Sequence, residues 1–202
     1  MNIYMRLSLL LFLFCGVSAG ALAVANNATY ARIKENEEGK ERILRGKAIA
    51  GEQQGQQVTF DAAPVEIGGK RYYVGRLDGK SAGTAFTTVT NKGYGGPIEI
   101  IVAMDGAGEK ISGVRIKSHT ETPGLGANAA QIRYGEIEPW FLLQFKGLRP
   151  EEVKLKKDDP KGAIDAITAA TITSRAVTNA IREEATAFQK AWPELKETVP
   201  NE

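Results

Sequence analysis

The residues with the greatest capacity for chemistry lie in one short stretch, residues 165–174. It holds one carboxylate and four hydroxyl groups, those of Asp165, Thr168, Thr171, Thr173 and Ser174. From residue 172 onward, apolar residues recur at spacings of three and four, which predicts an amphipathic helix that ends at Pro193. The hydroxyl groups therefore lie around the first helical turn. Unpaired N–H groups and the positive end of the helix dipole favour an anion such as phosphate there.

A simpler interpretation of the same hydroxyl groups is local. One Thr or Ser would be the helix N-cap, and the others would be surface side chains. Small Ala169 and Ala170 leave the backbone accessible, which suits a ligand without distinguishing the two interpretations. The carboxylate of Asp165 is equally suited to holding its own loop through backbone hydrogen bonds. Taken alone, these residue types leave both interpretations open.

Residues 165–171, Asp-Ala-Ile-Thr-Ala-Ala-Thr, resemble the flavinylation motif of the FMN-binding domain family. In that motif, Asp-x-x-Ser/Thr-Gly-Ala-Ser/Thr, the last hydroxyl forms a phosphoester with FMN. The resemblance implies that Thr171 carries FMN covalently. It also implies that Asp165 assists the modifying enzyme, a magnesium-dependent flavin transferase that takes FMN from FAD. The family usually has Gly where this chain has Ala169, so a turn that requires positive φ would be strained here.

A second stretch, residues 119–126, contains the one histidine of the chain. It resembles the flavin-side loop shared by the G subunit of Rnf complexes and the C subunit of sodium-pumping NADH:quinone reductases. Two unlinked motifs in the right order make the resemblance specific, and it extends from about residue 80 to residue 192. The chain length and the single N-terminal apolar segment match the G subunit better.

The resemblance implies a cofactor site built from both motifs: His119, Glu121, Thr122, Gly124, Leu125, Gly126, Thr168, Ala170, Thr173 and Ser174. Gly124 and Gly126 are expected to let backbone N–H groups approach the flavin ring, with Thr122 as a hydrogen-bond partner and Leu125 as an apolar contact. A carboxylate from Glu121 beside the ring would lower the flavin potential, because it disfavours the anionic reduced form. His119 is equally well interpreted as a hydrogen-bonded loop residue and as part of a proton-coupled step.

By the same resemblance, the protein is an electron-carrying subunit of a membrane-bound ferredoxin:NAD oxidoreductase that translocates sodium ions or protons. Its partners would be the other subunits of that complex, and it would not act as a stand-alone enzyme. The related C subunit of a sodium-pumping NADH:quinone reductase is the alternative. Two hypotheses come from other classes: a hydrolase using Thr171, His119 and Asp165, and a non-catalytic membrane-anchored scaffold.

Charge and cysteine content restrict the remaining functions. The 26 basic and 24 acidic residues nearly cancel, and no basic cluster is interleaved with aromatic residues, which argues against nucleic-acid binding. Lys154, Lys156 and Lys157 form the densest basic run, but two aspartates follow at once, which is typical of a solvated turn without function. The lone Cys15 excludes an intrachain disulfide and a cysteine metal cluster, so redox work requires a cofactor.

The N-terminal segment is long and apolar enough to enter a membrane. No residue between Arg6 and Arg32 is charged, and residues 7–25 would span roughly 28 Å as a helix. A retained anchor and a signal peptide cut after residues 21–23 both fit. The Gly16 and Gly20 pair favours a retained helix within a complex. We expect a single pass through the bacterial inner membrane, with the following domain on the periplasmic side.

The chain is accordingly divided into an anchor at 1–31, a membrane-proximal linker or helix at 32–56, and an FMN-binding domain at 57–202. The predicted fold class is α+β, with a mostly antiparallel sheet and flanking helices. Strands are predicted at 57–60, 65–67, 71–74 and 83–90. A hairpin with its turn from Asp105–Gly106 to Gly108 joins 97–103 to 110–117, whose residues alternate between two faces. Beyond the hairpin we expect a short helix within 125–134, a buried segment at 139–145 and a polar loop at 149–162.

Overall fold

The structure of the protein, a computed structural model, describes residues 2–51, 58–61, 63–133 and 135–198. Gln57, Tyr134 and most of the predicted polar break at 51–57 lie outside these residues. The helices are α1 (Ile3–Ala50), α2 (Trp140–Leu143) and α3 (Thr171–Thr198), with 3-10 turns at Gly126–Ala129 and Pro150–Glu152. The strands are β1 (Thr59–Phe60), β2 (Val65–Ile67), β3 (Lys70–Leu77), β4 (Lys80–Thr90), β5 (Ile98–Asp105) and β6 (Ile111–His119).

The six strands form a single sheet in which β1, β3, β4, β5 and β6 are neighbours in that order, while β2 also pairs with β3. Every named pairing is antiparallel, which confirms the predicted α+β class. The hairpin of β5 and β6 is also confirmed. At its turn the carboxylate of Asp105 accepts hydrogen bonds from the N–H groups of Glu109 and Lys110, at 2.8 and 3.3 Å.

The interior strand β5, between β4 and β6, is covered on both faces, so nearly all of its side chains are buried. Ile98, Ile100, Val102 and Met104 belong to the larger core, which includes residues of α2 and α3. Ile101 and Ala103 pack instead with Ala48 and Ile49 from the end of α1. A strand buried on both faces has a continuous run of apolar residues, as residues 100–104 do.

The last turns of α1 pack closely on the sheet because glycine leaves room for them. A Cβ atom at Gly113 would overlap the carbonyl oxygen of Ala48. Arg115 donates from Nη2 to the carbonyl of Lys47 at 3.1 Å and pairs with Glu138 at 3.1 Å. The guanidinium thus adds a second donor to a carbonyl that also accepts from the N–H of Gly51 at 2.9 Å, and it places a positive charge at the negative end of the helix dipole.

One compact unit of the chain ends at Glu41 and the second begins at Arg42, well before the predicted domain start at residue 57. Residues 32–50 of the segment predicted as a membrane-proximal linker or helix are helical and belong to the same helix as the apolar segment. Among the described residues, α1 is the one helix long and apolar enough to cross a membrane, by length and composition. The boundaries at 1–31, 32–56 and 57–202 stay predictions of functional organisation.

The prediction that α3 ends at Pro193 is wrong, since the helix continues to Thr198 with the proline inside it. Leu195 is 1% exposed and belongs to the main core. Burying a leucine side chain contributes about 2 kcal/mol, which offsets much of the lost backbone hydrogen bond and the steric cost of an internal proline.

Candidate cofactor site

The segment before α3 is a tight turn with a strained residue. The N–H of Ala170 donates to the carbonyl of Ile167 at 3.0 Å, and Ala169 has a φ of 60°. Positive φ at the third residue is what a type II turn requires, and glycine is preferred there. Ala169 therefore holds a left-handed backbone at a cost of roughly 1–2 kcal/mol relative to its preferred conformation.

A second turn of the same kind lies in the other motif. The N–H of Leu125 donates to the carbonyl of Thr122 at 3.1 Å, and the third residue, Gly124, has a φ of 78°. A Cβ atom at Gly124 would meet nothing within 4 Å. The backbone conformation, not a crowded neighbour, thus accounts for glycine at this position.

Ser174 holds the first of these turns against α3. Its hydroxyl donates to the carbonyl of Ala170 and accepts from the N–H of Ile167, both at 2.9 Å. The side chain is fully buried. The hydroxyl of Ser174 therefore shapes the turn, and the structure gives it no exposure to a ligand.

The start of α3 leaves donor groups unused. Its first helical hydrogen bond joins the N–H of Ser174 to the carbonyl of Ala170, a residue without a side-chain acceptor. Within the described part of the chain, the N–H groups of Thr171, Ile172 and Thr173 have no hydrogen-bond acceptor. Such donors, together with the helix dipole, form an environment suited to an anion.

Glu121 joins three segments of the chain beneath the site. Its carboxylate accepts from the N–H of Gly95 at 3.0 Å and from the hydroxyl of Thr173 at 2.6 Å. Only 6% of Glu121 is exposed. A buried carboxylate is stable when donors satisfy it, so these contacts link residues 93–96, residues 119–126 and the start of α3.

Glycines make room for this carboxylate. A Cβ atom at Gly126 would overlap Oε2 of Glu121, and one at Gly93 would lie 2.6 Å from Oε1. The sequence interpretation assigned Gly126 to close approach of a ring. In the structure Gly126 is buried, lines the cleft and allows close approach of Glu121.

A cleft of about 420 Å³ opens above these contacts. Its lining comes from the same three segments: Tyr94, Glu121, Thr122, Leu125, Gly126, Ala169, Ala170, Thr171, Ile172 and Thr173. The rim is apolar and accessible, since Tyr94, Ile172 and Leu125 are 70%, 51% and 40% exposed. The structure therefore brings the two predicted motifs together.

Seven of the predicted site residues line the cleft: Glu121, Thr122, Leu125, Gly126, Ala170, Thr171 and Thr173. Gly124, His119, Thr168, Ser174 and Asp165 are not among the lining residues. Tyr94, Ala169 and Ile172 line the cleft but were not predicted as site residues. The signal available for Tyr94 was its position inside the glycine-rich stretch at 93–96, whereas Ile172 read only as an apolar helix residue.

The three residues of the hydrolase hypothesis are engaged separately. Nδ1 of His119 accepts from the backbone N–H of Glu121 at 3.2 Å. The carboxylate of Asp165 pairs with Lys156 at 2.7 Å. Within the part of the chain that the structure describes, no hydrogen bond joins Thr171, His119 and Asp165 to one another. The arrangement lacks the nucleophile–base contact that a triad needs.

The basic run at Lys154, Lys156 and Lys157 was interpreted as a solvated turn without function. In the structure it lies against the flavinylation motif. Nζ of Lys157 donates to Oγ1 of Thr171 at 3.1 Å, beside the Lys156–Asp165 ion pair. Arg175 binds both carboxylate oxygens of Asp158, at 2.7 and 2.6 Å. Hydrogen bonds from this guanidinium lower the pKa of Asp158, and the carboxylate raises the pKa of Arg175. Charge spacing alone did not reveal which groups these side chains meet.

Comparisons with known proteins match this domain to a known family and fold. Residues 93–185 match the family model described as the FMN-binding domain. The crystal structure of the C subunit of the Na(+)-translocating NADH-quinone reductase from Parabacteroides distasonis has the same fold, with a TM-score of 0.56 at 18% identity. The match covers 80% of this chain and 96% of that one. Fold and cleft together define a domain of the FMN-binding class.

The full-length relatives give the narrower assignment. The G subunit of the ion-translocating oxidoreductase complex of Shewanella piezotolerans is 34% identical over 86% of this chain and 84% of that protein. The G subunit of the Na(+)-translocating ferredoxin:NAD(+) oxidoreductase complex of Acetobacterium woodii is 28% identical over 93% of each chain. The chain belongs to the family of G subunits of ion-translocating oxidoreductase complexes, which confirms the resemblance seen in the two motifs.

Proposed function

We propose that this protein carries FMN as a phosphoester on Thr171 and is an electron-carrying subunit of a membrane-bound, ion-translocating oxidoreductase complex. The observation that carries the proposal is the cleft in which Thr171 meets the loop at 121–126. Membership of the G-subunit family supports the same conclusion, since the relatives are named as subunits of such complexes.

Burial distinguishes the four hydroxyl groups of the motif as attachment points. Thr173 and Ser174 are 1% and 0% exposed and are already hydrogen-bonded. Thr168 is exposed but does not line the cleft. Thr171 is partly exposed and lines it. Of the four, it alone combines access for a modifying enzyme with a position inside the site.

The residues present fit FMN. The N–H groups of Thr171, Ile172 and Thr173 and the ammonium of Lys157 are donors suited to a phosphate. Tyr94 and Leu125 offer apolar surface for a ring. The cleft volume of about 420 Å³ falls within the range of pockets that hold drug-sized ligands and cofactors, roughly 300–1,000 Å³.

Attachment requires an outside catalyst, because a threonine hydroxyl is a poor nucleophile near neutral pH. We propose that a magnesium-dependent flavin transferase supplies the metal and the base. Oγ1 of Thr171 attacks the FMN phosphorus of FAD, the bond from that phosphorus to the AMP moiety breaks, and AMP leaves. The hydroxyl proton passes to the base of the transferase. A covalent tether prevents loss of the cofactor outside the cytoplasm.

FMN supplies one- and two-electron transfer when bound, and the protein positions and tunes it. The chain's own contribution is a fixed scaffold, in which Glu121 joins the loops at 93–96 and 119–126 to α3. We place residues 7–25 in the bacterial inner membrane as a single pass, with the cofactor domain on the periplasmic side. Its partners are then the other subunits of the complex.

In-gel ultraviolet fluorescence after denaturing electrophoresis tests the proposal on full-length protein co-produced with a flavin transferase. We expect a fluorescent wild-type band, a dark Thr171→Ala band and a fluorescent Thr168→Ala band. Thr168→Ala is the matched control, because Thr168 is the other exposed threonine of the motif. A fluorescent Thr171→Ala band, or a dark wild-type band, would contradict the proposal.

A further inference from the structure

A side chain that contacts the Thr171 hydroxyl group comes from residues 155–159, a turn that lies outside both motifs. Lys157 Nζ lies 3.1 Å from the Thr171 hydroxyl oxygen. Its neighbours in the turn form ion pairs, since Lys156 pairs with Asp165 and Asp158 pairs with Arg175. Lys157 instead contacts a hydroxyl oxygen. The positive charge of Lys157 therefore lies beside the Thr171 oxygen, the atom that we propose forms the phosphoester.

This turn is anchored on both sides of Lys157. The N–H groups of Asp158 and Asp159 donate to the carbonyl of Leu155 at 2.9 and 3.0 Å, and the N–H of Lys156 donates to Ile164 at 2.9 Å. Leu155 is 2% exposed, so the base of the turn is held in the core. These contacts fix the backbone from which the Lys157 side chain extends toward Thr171.

The contact suits both stages of attachment. Before attachment, the ammonium engages a lone pair of Thr171 Oγ1 and leaves the hydroxyl hydrogen for an outside base. After attachment, the same oxygen is part of a phosphodiester that carries one negative charge. A nearby ammonium attracts that charge. A hydrogen bond from the ammonium to the phosphodiester is charge-assisted, and such bonds are stronger than those between neutral groups.

We infer that Lys157 is a positioning residue for flavin attachment, which orients the Thr171 oxygen and neutralises the flavin phosphate bound there. The inference rests on the proposed attachment at Thr171 and adds a residue that lies outside the flavinylation motif. Lys157 is distinct from the donors at the start of α3, because its charge comes from a separate turn of the chain.

The test uses full-length protein, purified flavin transferase, FAD and Mg²⁺, and it measures the initial rate of covalent fluorescence. Lys157→Met should lower that rate about fivefold at saturating FAD, the factor expected for one unit-charge attraction at about 4 Å in water. Lys157→Arg should restore most of the rate. Lys161→Met is the matched control, because only the backbone N–H of Lys161 makes a described contact, and its rate should equal that of the wild type.

A second measurement separates a phosphate contact from a contact with the transferase. Without transferase, Lys157→Met should reduce the affinity for FMN about fivefold and leave the affinity for riboflavin, which lacks the phosphate, unchanged. Equal unfolding midpoints for Lys157→Met and wild type would show that the fold is intact. A wild-type attachment rate in Lys157→Met, an Arg variant as slow as the Met variant, or an unchanged preference for FMN over riboflavin would each overturn the inference.

The outcomes also separate this inference from the proposed function. Covalent flavin on Thr171→Ala would mean that attachment occurs elsewhere, and both proposals would fail. A dark Thr171→Ala band beside a Lys157→Met variant with wild-type rate would remove only the role of Lys157.

Discussion

The hydroxyl of Thr173 donates a 2.6 Å hydrogen bond to the carboxylate of Glu121, a residue 52 positions away in the chain. Both side chains are buried. The bond ties the two motifs together beneath the cleft, so the relative position of the loop at 119–126 and the start of α3 depends on it.

Removing the donor should destabilise the domain. In Thr173→Val, one oxygen of the buried Glu121 carboxylate loses its donor, and the free energy of unfolding should fall by about 1–3 kcal/mol. Glu121→Gln should cost less, because its amide oxygen can accept from Gly95 while its NH₂ group donates to Thr173. Urea unfolding of the full chain in detergent measures both effects.

The double variant provides the control for this contact. If the hydrogen bond is the cause, the losses in Thr173→Val and Glu121→Ala, each of which removes the contact, will not be additive. Additive losses, or a Thr173→Val variant as stable as the wild type, would exclude the contact as a source of stability.

The strained turn at Ala169 should respond favourably to glycine. Ala169→Gly removes a left-handed alanine, φ 60°, at the expense of a more flexible unfolded chain, so a net gain of about 0.5–1 kcal/mol is expected. Gly124→Ala is the reciprocal control, since Gly124 has a φ of 78° in a similar turn with open space around it. It should lose about the same amount. Thermal unfolding of both variants measures the effect, and a loss of stability in Ala169→Gly would contradict the strain argument.

Tyr94 should contribute to flavin binding through its ring. It lines the cleft and is 70% exposed, so its aromatic face is available to another planar group. Tyr94→Ala should weaken FMN affinity about threefold to tenfold, the range expected for one aromatic stacking contact, and Tyr94→Phe should retain it. Fluorescence titration of the full chain with FMN measures the dissociation constants. If the Phe variant binds as weakly as the Ala variant, the phenol hydroxyl and not stacking is responsible.

Acid should weaken the contacts of the turn at 155–159. Hydrogen bonds from Arg175 lower the pKa of Asp158, and those from Lys154 and the N–H of Lys161 lower that of Asp159. A carboxyl whose folded-state pKa is depressed contributes stability above its unfolded value, and the contribution is lost as pH falls through the folded value. Below about pH 4, near the ordinary pKa of Asp, the wild type should therefore lose stability more steeply than Asp158→Asn. The midpoints of urea unfolding, measured between about pH 6 and pH 3, test this prediction. If the midpoints of the two proteins fall in parallel as the pH is lowered, the prediction is contradicted.

Local patterns in the sequence were sufficient for most of the fold. Alternating apolar residues and the Asp105–Gly106 turn predicted the hairpin of β5 and β6, because pairing of neighbouring strands depends on residues close together in the chain. Spacings of three and four predicted the buried face of α3. The two motifs by themselves indicated the family and the candidate attachment residue Thr171.

Contacts between distant residues were decided only by the tertiary structure. Proline ordinarily interrupts a helix, yet burial of Leu195 in the core allows α3 to continue past Pro193. Likewise, no spacing rule connects Lys157 with Thr171 or Glu121 with Thr173, since these pairs meet only after the sheet, the turn at 155–159 and α3 have packed together. The sequence by itself determined most of the elements that form and the family to which the two motifs point. Packing energy, which sums over residues far apart in the chain, decided which side chains face one another in the cleft.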